Sequence, residues 1–196
     1  MGSSRAYAVF RTTDADEAYA RALRFVALLA EAEDEVDVEA EVRTVEEARR
    51  IARLLPGAAV DRVEAVRDPA TGEYLGLALD LATADDDEIR AGLPLRLSAE
   101  VPAAAVGPGF VRALGDGPAG IDRHGRWPDD PGTGDRGFGK YDGVQLVLYG
   151  DRARIDGRAP HHTVFLHLDK WAGPARARRL AAGAGCEVLG EVQIGW

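Results

Sequence analysis

The sequence predicts an α+β fold: a mixed or antiparallel sheet covered by two to three helices, arranged either as one sheet or as two ferredoxin-like lobes. Three patterns carry this reading. Residues 7–57 alternate strand-like and helix-like apolar periods in the order β-α-β-α, residues 60–100 are mostly strand-like, and residues 144–194 close as β-β-α-β. A chain of 196 residues buries enough surface to fold as a single domain spanning 1–196 without covalent staples. Lobes, if formed, fall at 5–101 and 144–196, joined by a glycine-rich loop over 115–143.

Taken in order, Tyr7 to Arg11 reads as a short strand. Thr13 and Asp16 carry a capping-box spacing ahead of an amphipathic helix with Ala15, Tyr19, Ala22, Val26 and Leu29 on one face. Val36, Val38, Ala40 and Val42 alternate with Asp37, Glu39 and Glu41, the period of a strand buried on one face and wet on the other. Thr44 and Glu47 cap a second helix that Pro56-Gly57 ends. Val60–Val66 and Tyr74–Leu81 flank the turn-like DPATGE and read as a hairpin. Asp85 to Glu88 crowd a helix start, where the dipole favours carboxylates. Leu93, Leu95, Leu97 and Ala99 make another strand, and a short helix comes next around Phe110 to Leu114. Beyond the glycine-rich stretch come strands at 144–148 and 163–168, a helix over Pro174–Ala184, and a last strand through Val188, Val192 and Ile194.

The stretch PGTGDRGFGKYDG, residues 131–143, matches both G-x-G-x-x-G and G-x-x-x-x-G-K. Either motif works only where it opens a helix, whose N–H groups and dipole are aimed at phosphate. Here Tyr141 stands where a magnesium-binding Ser or Thr belongs, and the next residues carry a strand pattern. The glycine-rich residues 115–143 that contain it therefore read as a loop, and Trp127, Phe138 and Tyr141 suit that loop to docking on the body or on a ligand. No cofactor is expected. Neither is a metal, because no Cys/His spacing supplies clustered ligands.

Charge is lopsided. The net charge is −9, but residues 1–100 carry 12 Arg against 22 Asp and Glu, while residues 101–196 carry 12 basic and 11 acidic residues. Phosphate backbones are gripped by Lys and Arg, so nucleic acid is a poor partner for this chain and a basic protein a good one. The densest acidic run is Glu31, Glu33, Asp34, Glu35, Asp37, Glu39 and Glu41. The lone Cys186 and the lack of a leader-like or long apolar segment suit a cytoplasmic protein without a membrane partner.

One catalytic pattern is present. In RAPHHTVFLHLD, strand alternation puts His161, Thr163, Phe165 and His167 on one face and His162, Val164, Leu166 and Leu168 on the other. His161-His162-Thr163-Val164 resembles the H-x-T-hydrophobic motif of the two-histidine phosphoesterases. That resemblance implies a strand-borne His and Thr gripping a phosphodiester, with imidazole as acid or base. It covers about a dozen residues, and the family's second motif is missing: His124 is followed by Gly125 and Arg126, with no hydroxyl two residues on.

The expected function is thus a protein-binding or regulatory role, as an inhibitor, immunity factor or regulatory subunit. Its contacts would come from the acidic run at 31–41 with Trp127 and Tyr141. The alternative is a phosphoesterase-like hydrolase or a small-molecule tailoring enzyme. It would use His161, Thr163, His167 and His124, with residues 115–143 as lid.

Overall fold

The computed structural model describes residues 4–62, 66–67, 74–75, 79–132, 134 and 136–196. Its elements run β1 (Arg5–Thr12), α1 (Ala15–Val26), β2 (Glu31–Ala32), β3 (Glu35–Val42), α2 (Val45–Leu54), β4 (Ala59–Arg62), β5 (Val66–Arg67), β6 (Tyr74–Leu75), α3 (Asp86–Gly92) and β7 (Leu95–Pro102). They continue with a 3-10 turn (Ala103–Ala105), α4 (Pro108–Leu114), β8 (Ala119–Arg126), β9 (Gly143–Leu148), β10 (His162–Leu168), α5 (Pro174–Gly183) and β11 (Gln193–Ile194).

The fold is α+β. Among the described residues, one antiparallel sheet runs in the order β11-β1-β10-β9-β8-β3-β7-β4, with β2 paired to β8. β1 lies between β10 and β11, so a strand from the first of the suggested lobes is paired on both sides with strands from the second. Of the 60–81 hairpin, Val66–Arg67 pairs with Tyr74–Leu75, and the turn expected at 68–73 lies outside the described residues.

Among the described residues, the five α-helices cover one face. Phe25 of α1, Ile51 of α2, Ile89 of α3, Val111 of α4 and Ala177 of α5 share one core with Val36, Val38, Leu97, Leu146, Val164 and Leu166 from the strands. Each such large side chain contributes roughly 1.5–3 kcal/mol by leaving water. Local chemistry agrees with this packing. Thr44 and Glu47 form the expected capping box of α2, and Asp85 and Glu88 form one for α3. At α1 the cap is Asp14, not Thr13: its carboxylate accepts from the N–H groups of Asp16 and Glu17. Gly57 ends the α2 segment at φ +81°, a conformation that costs glycine little.

The main departure from expectation is β8, a central strand inside the stretch read as loop. Its helix-side positions hold Ile121 and Arg123 and its other face holds Gly120, Asp122 and His124, so no apolar alternation announces it. Backbone pairing with β3 and β9 supplies what side-chain pattern does not. Two of its glycines answer to crowding: a Cβ at Gly120 would sit 2.8 Å from Ile155 Cδ1, and one at Gly125 would strike the Glu31 carbonyl.

After β8 the chain is tied down by buried polar groups. Asp142 accepts from the N–H groups of Phe138 (2.7 Å), Trp127 (3.2 Å) and Asp169 (3.3 Å). Buried Arg176 donates to the carbonyls of Arg136 and Pro128, both at 2.8 Å. Lys140 leads into a turn and then β9, not a helix, so the glycines present no helix N-terminus to a phosphate. At the other end, the expected last strand shrinks to Gln193–Ile194. Among the described residues no helix is long and apolar enough to cross a membrane.

Candidate functional site

The helix-free face of the sheet is where the chemistry lies. Register places one row of side chains across six strands: Ala8, Phe165, Gln145, Asp122, Asp37 and Glu100, from β1, β10, β9, β8, β3 and β7. The row begins apolar and ends in three adjacent carboxylates. A second row runs Val147, Gly120, Glu39, Ser98 and Ala59.

Over the acidic end lies an open groove of about 530 Å³, lined by Asp37, Glu39, Ala59, Ser98, Glu100, Asp122, His124 and Trp196. Like charges directly opposite on neighbouring strands repel. The Glu100 pKa is raised, first by a hydrogen bond with Glu35 and by its charge, and to a lesser extent by burial and by the charges of the directly opposed Asp37 and of Glu33. Asp122 is pushed well above the usual carboxylate range, chiefly by burial; Gln145 beside it acts in the opposite direction, and Glu39 and Asp37 add to the rise. Its Oδ1 is inaccessible and has no hydrogen-bond partner, and the same holds for the indole Nε1 of Trp196. Among the described residues, the one basic group bonded to this carboxylate row is His124, whose Nε2 is 3.1 Å from Asp37 Oδ2.

Between the apolar and acidic ends sits a buried polar cluster. Ser4 Oγ is 2.8 Å from His167 Nδ1, and His167 Nε2 is 3.1 Å from Gln145 Oε1. An amide oxygen only accepts, so the His167 proton sits on Nε2 and the Ser4 hydroxyl donates to Nδ1. Burial, and then the neighbouring His124, hold the His167 pKa well below its ordinary value. The Trp196 ring stacks on His167 at 3.4 Å between centroids and meets His124 at 4.4 Å. Gly195 leaves room for this: a Cβ there would collide with Ser4 Oγ and the His167 ring.

The expected catalytic residues are distributed accordingly. Thr163 and His167 do share a face with Phe165, but it is not an open one. Thr163 is fully buried, with Oγ1 donating to the Gly150 carbonyl at 2.8 Å. His161 lies before β10, half-buried, its Nε2 without a partner. Six residues of extended chain separate His161 from His167, roughly 20 Å, so these two cannot act on one atom. His167 and His124 do meet, around Trp196, where His167 is sealed from water. His162 is buried on the helix side of the strand and accepts from the Tyr149 N–H at 3.1 Å.

Of the expected binding residues, Glu35, Asp37 and Glu39 stand on the open face. Glu31 pairs with Arg126 at 3.0 Å, Glu41 with Arg43 at 2.7 Å, and Glu33 and Asp34 are exposed in the turn before β3. Trp127 is a correction. It is wholly buried, its indole N–H given to the His167 carbonyl at 2.8 Å, and it serves the core, not a surface. Tyr141 is half-buried and stacks on exposed Phe138 at 6.0 Å, away from the acidic groove. Sequence reasoning missed Asp122, Gln145, Ser4 and Trp196. Asp122 was hidden with β8, and no local spacing joins the others. Comparison of the chain with protein-family models, curated proteins and solved structures gives no match.

Proposed function

We propose that the protein is a binding protein of the inhibitor or regulatory type, whose open acidic sheet face receives a Lys- or Arg-rich segment of a protein partner. The observation that carries this reading is the run Asp122, Asp37, Glu100: three carboxylates in consecutive cross-strand register with no Lys or Arg bonded to any of them among the described residues. Such a row costs the free protein stability, and a cationic partner relieves that cost on docking.

The test is titration of an oligo-lysine and an oligo-arginine peptide against two charge-matched variants. Glu39→Lys with Glu100→Lys reverses the groove; Glu46→Lys with Asp87→Lys makes the same charge change on the helices. The expected result is binding weakened at least tenfold in the first variant and less than threefold in the second, with steep loss at high salt. Equal weakening in both would mean that net charge, and not this face, recruits the cation.

A further inference from the structure

Two neighbouring turns hold aromatic side chains in water. In the first, the Tyr141 and Asp142 N–H groups donate to the Phe138 carbonyl; in the second, the Trp171 N–H donates to Asp169 Oδ1 and the Ala172 N–H to the Asp169 carbonyl. Buried Asp142 joins the two, since its carboxylate accepts from Phe138 in one turn and from Asp169 in the other. Fixed backbones thus leave Phe138 57% and Trp171 82% exposed. A single exposed apolar residue is ordinary, but Phe138, Tyr141 and Trp171 all border one concavity, and a gathered patch marks an interaction site.

The concavity has a volume of about 560 Å³, within the range of small-molecule sites. Its three rings share the wall with Arg136, Lys170 and Arg176, against one carboxylate, Asp169. Arg176 is buried and donates to the Arg136 and Pro128 carbonyls, so it fixes the loop wall and leaves Arg136 and Lys170 for a ligand. Both lysines of the chain stand here, Lys140 at 5.5 Å from the Tyr141 ring centre and Lys170 at 5.2 Å from that of Trp171. Among the described residues Arg136, Lys140 and Lys170 form no ion pair, although the net charge is −9.

We propose that this pocket binds a mononucleotide, its base lying against Trp171 and the Phe138–Tyr141 pair and its phosphate taken by Arg136 and Lys170. The open ring faces select a planar group, because bases stack on aromatic side chains. The cations select a phosphate: it carries roughly −1.5 to −2 charges at neutral pH and takes a guanidinium in a bidentate manner. A single nucleotide meets this pocket alone, whereas a nucleic-acid strand would have to run on over a chain of net charge −9. No residue that lines the pocket also lines the acidic groove, so what one binds does not decide what the other binds.

The experiment is calorimetric titration of the full chain at low ionic strength with adenosine monophosphate, adenosine, phenyl phosphate and inorganic phosphate. Saturable binding of adenosine monophosphate is expected, with adenosine and inorganic phosphate each at least tenfold weaker, because one lacks the charge and the other the ring. Phenyl phosphate should fall between them, and its binding as tightly as the nucleotide would overturn the base as the group recognised. Trp171→Ala, at an exposed side chain, should weaken the nucleotide at least fivefold. Arg136→Gln with Lys170→Gln should weaken it at least tenfold, and Arg11→Gln with Arg24→Gln, the same charge change on exposed residues elsewhere, less than twofold. No saturable binding, equal binding of inorganic phosphate, unchanged affinity in Trp171→Ala, or equal weakening in the two charge pairs would each overturn the proposal.

Discussion

The two ends of the helix-free sheet face have the same backbone and opposite side chains. Over β1, β10 and β9, Ala6, Ala8, Val147 and Phe165 are covered by Ala153 and Leu189 from the segments that cross them, and Thr163 spends its hydroxyl on a backbone carbonyl. Over β8, β3 and β7 the same row continues as Asp122, Asp37 and Glu100, which border an open groove among the described residues. One end is finished as core. The other keeps unrelieved repulsion and buried polar atoms without partners, a combination that folding alone gives no reason to retain. The difference assigns stability to one end and leaves the other for the proposed binding.

The sharpest way to break this contrast is Phe165→Ala. The side chain is wholly buried in the small core on this face, and its loss leaves a cavity under Ala153 and Leu189. A cost of about 3–5 kcal/mol is expected in urea unfolding. Affinity for an oligo-lysine peptide should change less than twofold in the fraction that remains folded. Loss of peptide binding in step with stability would show that the two ends are not separable.

The fold was legible wherever one face of an element is uniformly apolar. β3 announces itself through Val36, Val38, Ala40 and Val42, and α2 through Ala48 and Ile51 behind a Thr44 cap. β8 was not legible, because Arg123 occupies a helix-side position and glycines fill others, so the pattern of a central strand is missing although its ladder is complete. The site was half legible for the same reason. The carboxylates of β3 stood out as a run, but their neighbour Asp122 lay in the hidden strand, and their closeness to Glu100 is a matter of register. Face alternation correctly grouped Thr163 with His167. It could not say that residues 151–159 and the end of the chain would cover that face, since this depends on contacts far apart in sequence.

The second prediction probes the junction between the two ends. Asp122 has its pKa raised in the folded state by burial, so folding favours its protonated form. The protonated form helps stability fully below the unfolded carboxylate pKa of about 4, and that help is lost as pH rises through the higher folded value. Asp122→Asn, which keeps the shape without the charge, should therefore be more stable than the unaltered protein at neutral pH, by roughly 1–3 kcal/mol. The difference should close as pH falls towards 4. His167 acts in the opposite sense: its folded pKa is depressed by burial, so its contribution is lost on acidification below about 6.5, and His167→Gln should flatten that limb. Melting curves between pH 4 and 8 separate the two. A difference between Asp122→Asn and the unaltered protein that does not vary with pH would remove burial of the charge as its cause.

The smallest effect expected is the most telling about purpose. Asp37 stands between Asp122 and Glu100 in register, so neutralising it relieves a repulsion on each side. Asn in its place retains an oxygen for the His124 ring, which lies 3.1 Å from the carboxylate. Removing one like charge from directly opposed strand positions is worth about 0.2–1 kcal/mol. Asp37→Asn should accordingly gain stability of that order at low ionic strength, and the gain should fade in salt because the face is open to solvent. The same substitution should weaken binding of the oligo-lysine peptide. A residue that costs the free protein stability yet strengthens its hold on a cation is kept for what it binds. If Asp37→Asn proves less stable at low salt, the carboxylate is supporting the sheet through His124, and the acidic row belongs with the structural end of this face.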